Sequence, residues 1–276
     1  MVRMELNGLS EREFATIRDL LFREAGIALT PAKKALICGR LFKRVQALQL
    51  DSYGAYFALL LSGQQPLELQ TAINLLTTNE TYFFREAKHF SMLSVIAENA
   101  PHTRPFRAWS AACSTGEEVY TIAMTLAELS RVGRAPPWEV RGSDISTRVL
   151  ETARRGNYGM ERTHGIPPDY LKRYCLSGTG PYEGTLLVDR ALRDKAEFAQ
   201  INLIEPLPEL VPFDVIFLRN VLIYFDPPVK RKVVSQLLSA LAPGGALFIG
   251  MAESLNGMID GLISFGPGAY RMERRH

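Results

Sequence analysis

Cysteine and long apolar runs are both scarce in this sequence. Only 3 of its 276 residues are cysteines, and none form a CxxC pair, which argues against a disulfide framework and a cysteine-rich metal site. No apolar run approaches the roughly 20 residues that a helix needs to cross a bilayer. Residues 1–14 also lack the apolar middle of a secretory signal. We therefore expect a cytoplasmic protein with no membrane insertion and no bound metal.

An excess of charge of one sign is also missing. The 32 Lys and Arg residues are nearly balanced by 29 Asp and Glu residues, which leaves a formal net charge of +3. Hydrophobic residues make up 47% and charged residues 22%, a composition that excludes a disordered polyampholyte. The balance gives no overall case for a nucleic-acid or membrane-surface protein.

The first part of the chain carries helix signals only. Residues 10–13 (SERE) fit a capping box, and Gly26 is placed to end the helix that follows. Thr30-Pro31 and Asp51-Ser52 each predict a further helix start. No alternating strand pattern occurs before about residue 100. We expect an all-helical domain with its linker over residues 1–90.

The second predicted helix is basic on one face, where Lys33, Arg40 and Arg44 lie opposite an apolar stripe. This face is either simply solvated or a docking surface for an acidic partner. Because no aromatic residue interleaves the charges, base stacking is not favoured and we expect no nucleic-acid partner.

After residue 105 the pattern changes to alternating strands and helices. Apolar strands are predicted at 106–112 and 138–143, and helices at 119–129 and 146–155. Further apolar strands follow in AEFAQINL, FDVIFLRN and GGALFIGM. This order predicts an α/β fold with a doubly wound, mostly parallel sheet over residues 91–276. Ligands of such sheets bind beyond the carboxyl ends of the strands.

Residues 158–194 interrupt that alternation. They contain Pro167-Pro168, a glycine-rich turn at 178–181, and strand-like flanks at 171–176 and 185–188. We interpret the segment as a small antiparallel β-subdomain inserted into the main domain. Periodicity alone leaves open a plain surface excursion.

The turn after the first strand, CSTGEE, has the small residues that a nucleoside ligand needs for close backbone approach. Asp144 ends the second strand, where an acidic residue typically binds ribose hydroxyls, although it can equally cap the next helix. Glu117 and Glu118 begin the helix after the turn, and their charge disfavours pyrophosphate there. A nicotinamide oxidoreductase, which needs G-x-G-x-x-G, is therefore disfavoured relative to a phosphate-free cationic ligand such as S-adenosylmethionine.

Two further polar segments carry candidate site residues. Residues 78–86 (TNETYFFRE) precede the sheet, and residues 219–226 (RNVLIYFD) leave the end of an apolar strand. Each has an ordinary structural interpretation, as a packed linker and as a helix cap respectively.

Four motifs together, TNETYFFRE, AACSTGEEVYTIA, SDIS and FLRNVLIYFD, resemble the chemotaxis-receptor glutamate methyltransferases of the CheR family. The resemblance extends over almost the whole chain, to GGALFIGMAES. It implies a helical N-terminal domain, a Rossmann-like methyltransferase domain and a small β-subdomain. It also implies methyl transfer from S-adenosylmethionine, leaving S-adenosylhomocysteine, to glutamate side chains on the cytoplasmic helices of chemoreceptors.

The resemblance assigns roles to residues that match the motifs. Arg85 and Tyr224 become catalytic candidates that hold the substrate carboxylate, with cofactor binding and ring packing as their other interpretations. The cofactor-binding candidates are Asn79, Thr81, Arg85, Glu117, Asp144, Asn202, Leu203, Arg219 and Asn220.

The same resemblance suggests partners. The hairpin at 171–188 is similar to the subdomain with which some family members bind a receptor's C-terminal tether peptide by strand addition. The basic helix then faces a carboxylate-rich receptor helix. Two other functions stay open: a methyltransferase acting on another carboxylate or small-molecule substrate, and a signalling adaptor that binds the cofactor without turnover.

Overall fold

The computed structural model describes residues 8–273 of the chain, so part of the N-terminal stretch inspected for a signal lies outside it. It divides into two compact units, residues 8–78 with 224–229, and residues 79–223 with 230–273. Among the helices of this described part, none is both long and apolar enough to span a bilayer.

The first unit is helical, as predicted. Its core is made of the apolar faces of all four helices and includes Phe14, Leu41 and Tyr56. The helices are α1 (Glu11–Ala25), α2 (Lys34–Ala47), α3 (Tyr53–Leu61) and α4 (Pro66–Leu76).

The predicted helix ends are mostly confirmed. Ser10 and Glu13 form the capping box reciprocally, and Gly26 ends α1 in the left-handed conformation at φ 70°. The start predicted at Thr30 is wrong in detail. Pro31–Lys33 forms a 3-10 turn, the Thr30 side chain caps no described N–H group, and α2 begins at Lys34.

The basic face of α2 is less free than its pattern predicted. The Nε atom of Arg44 donates to Glu68 Oε1 at 2.7 Å, and the Tyr56 hydroxyl donates to the same oxygen at 2.7 Å. Arg40 donates to the carbonyls of residues 76 and 77, where α4 ends. Two of the three predicted cations therefore stabilise the helical unit itself, while Lys33 is exposed.

The second unit is built on a seven-stranded sheet in the order β6-β2-β1-β7-β8-β10-β9. The first five strands in this order are parallel and the last two pair antiparallel, which confirms the doubly wound, mostly parallel fold. The antiparallel strands β9 and β10 were not predicted. The strands are β1 (Phe106–Ser110), β2 (Trp138–Asp144), β6 (Ala196–Gln200), β7 (Phe213–Leu218), β8 (Leu241–Ile249), β9 (Leu262–Gly266) and β10 (Ala269–Met272).

Helices cover this sheet. The rings of Phe90, Phe217 and Phe248 stack in sequence, with centroids 5.9 Å and 4.9 Å apart, and so join the first of these helices to the sheet. That helix, α5, was not among the predicted elements. The helices are α5 (Lys88–Glu98), α6 (Glu117–Arg131), α7 (Thr147–Arg155) and α10 (Pro227–Ser239).

The inserted segment forms its own three-stranded antiparallel sheet in the order β3-β5-β4. The strand-like flank predicted at 171–176 is wrong up to Tyr174, because Pro168 occupies the first turn of a short helix there. We call residues 157–193 the insert. Its elements are β3 (Asn157–Gly159), α8 (Pro168–Tyr174), β4 (Cys175–Ser177), β5 (Thr185–Val188) and α9 (Arg190–Arg193).

Replacing Glu68 by Ala tests the buried pair in the helical unit. Glu68 is 4% exposed, and its loss leaves the buried Tyr56 hydroxyl without an acceptor, so we expect about 1–3 kcal/mol of destabilisation. Hydrogen exchange of the α3 amides measures this loss. Glu11→Ala, which removes an exposed partner of Lys34, is the matched control and should change little.

The same pair predicts a pH dependence. Burial raises the pKa of Glu68, but the hydrogen bonds from Arg44 and Tyr56 outweigh it, so the pKa lies below its ordinary value. The stabilisation is present above the unfolded-state pKa and is lost as the pH falls through the lower folded-state value. Equal protection of the α3 amides in Glu68→Ala and Glu11→Ala would contradict the stabilising role of the Glu68 carboxylate.

Candidate active site

Four parallel strands end side by side in the order β6, β2, β1 and β7. From β1 the chain continues to its neighbour β2 in one direction along the sheet, and from β7 it continues to its neighbour β8 in the other direction. This reversal of strand order makes the boundary between β1 and β7 the switch point where such folds bind ligands. The chain segments that leave these ends are 201–203, 144–146, 111–116 and 219–220. The fold thereby brings the predicted site residues of four separate motifs to one edge of the sheet.

The loop between β1 and α6 is shaped by a crowded glycine. Gly116 precedes α6 at φ 97°, a left-handed conformation that disfavours side chains. A Cβ atom there would lie 2.8 Å from the Ala153 Cβ and 2.9 Å from the Tyr158 hydroxyl. The packing of this loop therefore requires glycine at position 116, within the turn of small residues that the sequence pattern identified.

Asp144 links two of the loops. It is 8% exposed, its Oδ2 accepts the N–H of Ser114 at 2.9 Å, and its Oδ1 accepts the N–H of Ser146 at 2.9 Å. Burial raises the pKa of Asp144 above its ordinary value, although these N–H donors oppose the rise. The carboxylate thus caps the turn after β2, as one interpretation of the sequence expected. Its about four lone-pair sites exceed its three N–H donors, those of Ser114, Ile145 and Ser146, which leaves acceptor capacity for a ligand.

Glu117 is fully buried at the start of α6, and its Oε2 accepts a hydrogen bond from the Thr115 hydroxyl at 2.7 Å. The Nη2 atom of Arg162 lies 2.7 Å from Oε1, but no described donor makes a hydrogen bond to that oxygen. Burial raises the pKa of Glu117, opposed by Thr115 and Arg162. A buried carboxylate oxygen that lacks a donor suits a ligand carrying positive charge and N–H groups.

Residues 79–86, which we call the strap, cross this edge without forming a helix or a strand. The carbonyl of Asn79 accepts the Ser114 hydroxyl at 2.9 Å, and the N–H of Phe84 donates to the Thr121 hydroxyl at 3.1 Å. The strap is therefore held against the β1–α6 loop and helix α6 by specific hydrogen bonds.

Arg219 holds the end of the strap. Its side chain is 2% exposed, and its guanidinium donates to Glu118 Oε2 at 2.8 Å, to Glu86 Oε2 at 2.8 Å and to the carbonyl of Arg85. Burial raises the pKa of Glu86, but the hydrogen bond and charge of Arg219 outweigh it, so the pKa is lowered. Arg219, predicted to line the cofactor cleft, is thus committed to two carboxylates.

Sequence reasoning did not assign a role to Glu86, and treated Glu118 only as charge at a helix start. It also missed Glu253, whose carboxylate accepts the N–H groups of Asn220 at 3.0 Å, Gly250 at 2.7 Å and Ile223 at 3.3 Å. For Glu86 and Glu118 the sequence did hold a signal, because an arginine directly after a buried strand, here Arg219, needs carboxylate partners.

Backbone strain is concentrated at the same place. Five non-glycine residues between positions 8 and 273 have positive φ, and four of them are Phe84, Glu86, Ser114 and Asn220. Each left-handed residue of this kind costs about 1–3 kcal/mol and persists only where surrounding contacts fix it. The hydrogen bonds of the strap and of Arg219 supply those contacts.

Arg85 differs from Arg219 in having free donors. It is half-buried, donates one hydrogen bond within the described chain, to the Glu80 carbonyl at 2.9 Å, and lies over the Tyr82 ring at 5.7 Å from its centroid. Its other N–H groups are available to an anion.

The remaining predicted residues lie at two places. After β6, Leu203 is buried and its carbonyl accepts the Gln236 amide at 3.0 Å, while Asn202 Oδ1 accepts the N–H of Ile204. Tyr224 is grouped with the helical unit, where its carbonyl accepts the N–H of Ala28 at 2.8 Å. Its catalytic role stays a prediction.

Two family models match this chain. Residues 12–77 match the all-alpha domain of CheR methyltransferases, and residues 79–266 match the SAM-binding domain of the same enzymes. The chain belongs to the CheR methyltransferase family. Similar curated proteins, all described as chemotaxis protein methyltransferases, support this membership. They come from Salmonella typhimurium (41% identical, 96% of this chain, 92% of that protein), Escherichia coli K12 (43%, 90%, 86%) and Pseudomonas aeruginosa (methyltransferase 2; 42%, 89%, 87%).

Membership of this family establishes the chain as an S-adenosylmethionine-dependent methyltransferase of chemotaxis. It excludes the alternative of a nicotinamide-dependent oxidoreductase. The residues at the strand ends fit that cofactor. Glu117 offers a buried carboxylate whose Oε1 accepts no described hydrogen bond, and Asp144 retains acceptor capacity beyond its N–H donors. Two buried carboxylates at this edge favour a cationic ligand without phosphate.

Replacing Gly116 by Ala tests the crowding of the loop. We expect about 2–5 kcal/mol of destabilisation, because the new Cβ meets Ala153 and the backbone is left-handed. Gly133→Ala is the matched control, since Gly133 also has positive φ (72°) but no described atom lies within 4 Å of its added Cβ. Thermal unfolding should show a much smaller loss for Gly133→Ala, and equal losses would refute the role of crowding.

Proposed function

We propose that this methyltransferase esterifies glutamate side chains on the cytoplasmic helices of chemoreceptors, and that it acts in the cytoplasm. The curated relatives at 41–43% identity are named for methyl transfer in chemotaxis, which supports this substrate class. The observation that supports a carboxylate acceptor most directly is the Arg85 guanidinium.

Arg85 is the arginine of the strap with donors to spare. Its single hydrogen bond within the described residues leaves an edge of the guanidinium for bidentate recognition of a carboxylate. Arg219, only a few ångströms away at the carbonyl of Arg85, is already neutralised by Glu86 and Glu118. Of these two arginines, Arg85 is therefore the one that keeps unpaired donors for an incoming glutamate.

The chemistry needs no strong base. A glutamate side chain has a pKa of about 4.3 and is already ionised at neutral pH. His89, the buried histidine of α5, is not needed as a base for this reaction. Its Nε2 lies 2.8 Å from the Pro267 carbonyl, and burial lowers its pKa. S-adenosylmethionine supplies an electrophilic methyl group when bound. Arg85 orients the carboxylate and excludes water from it, which is where we expect the rate enhancement to arise. Tyr224 stays a catalytic candidate from the family resemblance.

The cofactor is held by the strap and the strand ends. Asp144 binds the ribose hydroxyls with the acceptor capacity that its N–H donors leave, and the Glu117 carboxylate binds the cationic end of the cofactor. The remaining proposed contacts are Asn79, Thr81, Arg85, Asn202, Leu203, Arg219 and Asn220.

Receptor contacts outside the site are proposed at two surfaces. In the insert, β4 is an outer strand of its sheet, so its free edge can accept a tether peptide as an additional strand, and Leu176 on it is exposed. In the helical unit, Lys33 and Lys43 are the exposed cations of the α2 region that can face an acidic receptor helix.

The decisive experiment follows labelled methyl groups. The full chain is incubated with radiolabelled S-adenosylmethionine and chemoreceptor cytoplasmic fragments, and we expect base-labile label that disappears when the methyl-accepting glutamates are replaced by alanine. Arg85→Met should lower turnover far more than cofactor affinity, because the carboxylate loses its bidentate partner.

The other outcomes of this experiment are informative. Label on small carboxylic acids but on no receptor fragment would support a methyltransferase with another carboxylate substrate. Cofactor binding without transfer to any acceptor would support an adaptor. Either result contradicts the proposed function.

Asp144→Ala tests the ribose assignment by calorimetry. We expect at least about a tenfold loss of S-adenosylmethionine affinity, because the ribose loses a charged acceptor. Asp189→Ala is the matched control. The Asp189 carboxylate also caps a helix, by accepting the N–H of Ala191, but it lies in the insert away from the strand ends. Unchanged affinity in Asp144→Ala would refute the assignment.

A further inference from the structure

Arg162 of the insert reaches the cofactor edge of the main sheet. Its Nη2 atom lies 2.7 Å from Glu117 Oε1, 3.2 Å from the Thr115 hydroxyl and 3.3 Å from the Thr81 carbonyl. One guanidinium nitrogen thus contacts the helix α6, the β1–α6 loop and the strap. The Arg162 side chain is 33% exposed, whereas Glu117 is fully buried.

A second residue of the insert supports the same place. The buried Tyr158 hydroxyl donates to the Thr115 carbonyl at 2.8 Å, and its ring packs edge-on against the strap residue Phe83 at 5.1 Å between centroids. The insert is therefore part of the wall behind the loop that carries Gly116 and Glu117, and not only a separate surface.

We propose that Arg162 is a positioning residue for cofactor binding, which keeps Glu117 ionised and oriented and ties the strap to it. This inference rests on the proposed role of Glu117 in binding the cationic end of the cofactor. Arg162 itself touches no reacting atom, so its contribution passes through Glu117 and through the carbonyl of Thr81.

The physical reason is the burial of Glu117. A carboxylate without solvent is driven towards its neutral form unless a cation compensates it. Arg162 is that cation. Within residues 8–273 the other titratable groups that interact with Glu117 are Glu80, Tyr158 and Cys113, and none of these three carries positive charge. Removing Arg162 raises the pKa of Glu117 further, and a neutral Glu117 no longer attracts a cationic ligand.

The ionisation of Glu117 makes cofactor affinity depend on pH. Cofactor affinity requires ionised Glu117, so it decreases as the pH falls through the pKa of Glu117. Without the Arg162 charge that decrease moves to higher pH. A purely structural role would lower the affinity at every pH by the same factor.

The experiment measures S-adenosylmethionine affinity of the full chain by calorimetry from about pH 6 to about pH 9. We expect Arg162→Met to bind at least about tenfold more weakly at neutral pH, and to recover affinity as the pH rises. Arg162→Lys, which keeps the charge, should bind closer to the unmodified protein. A pH profile of Arg162→Met parallel to that of the unmodified protein would overturn the proposal.

The matched control is Arg173→Met. Arg173 also belongs to the insert and also pairs with a carboxylate of α6, Glu128, but that carboxylate lies near the other end of the helix. Arg173→Met should leave both the S-adenosylmethionine affinity and its pH profile unchanged. If Arg162→Met lowers the melting temperature, Arg162→Gln replaces it, because glutamine keeps N–H donors but not the charge. Unmodified affinity and pH profile in Arg162→Gln would equally overturn the proposal.

A double-mutant cycle separates this inference from the proposed function. Glu117→Gln alone should weaken cofactor binding, and adding Arg162→Met to it should then have little further effect. If Glu117→Gln leaves affinity unchanged, the cofactor role of Glu117 is wrong. If it weakens binding but the two changes simply add, the positioning role of Arg162 is wrong.

Discussion

The buried guanidinium of Arg219 is the contact on which the carboxyl-terminal edge of the parallel strands depends. It joins the carboxyl end of β7 to Glu118 on α6 and to Glu86 at the end of the strap. Because all three charges are largely removed from solvent, loss of any one leaves the others uncompensated. The left-handed conformations of Phe84 and Glu86 persist because this network holds the segment that contains them.

The main sheet could be predicted from the sequence because its strands are apolar runs separated by amphipathic helices. Local signals such as the Ser10 capping box were also sufficient. The prediction failed where local pattern and tertiary context differ. The flank at 171–176 has the residues of a strand but becomes helical behind Pro168, and the short strands β9 and β10 are defined mainly by pairing with β8 and with each other.

The candidate site shows the same division. Residues at strand ends, such as Asp144, were predictable because parallel strands place their carboxyl ends together. Glu86, Glu253 and Arg162 were not, since each acts on segments far away in the chain through bonds to side chains or backbone. Family resemblance supplied the roles that spacing could not, because the positions of the strap and the insert are set by long-range contacts.

The order of strands at the antiparallel edge has a consequence for biosynthesis. β9 precedes β10 in the chain, yet it reaches the sheet only through β10, which lies between β8 and β9. Among the described strands β10 is the one neighbour of β9, and β9 leaves the ribosome before β10 exists, so this corner of the sheet cannot assemble vectorially. The nascent protein must therefore emerge almost to the end of β10 before its sheet is complete.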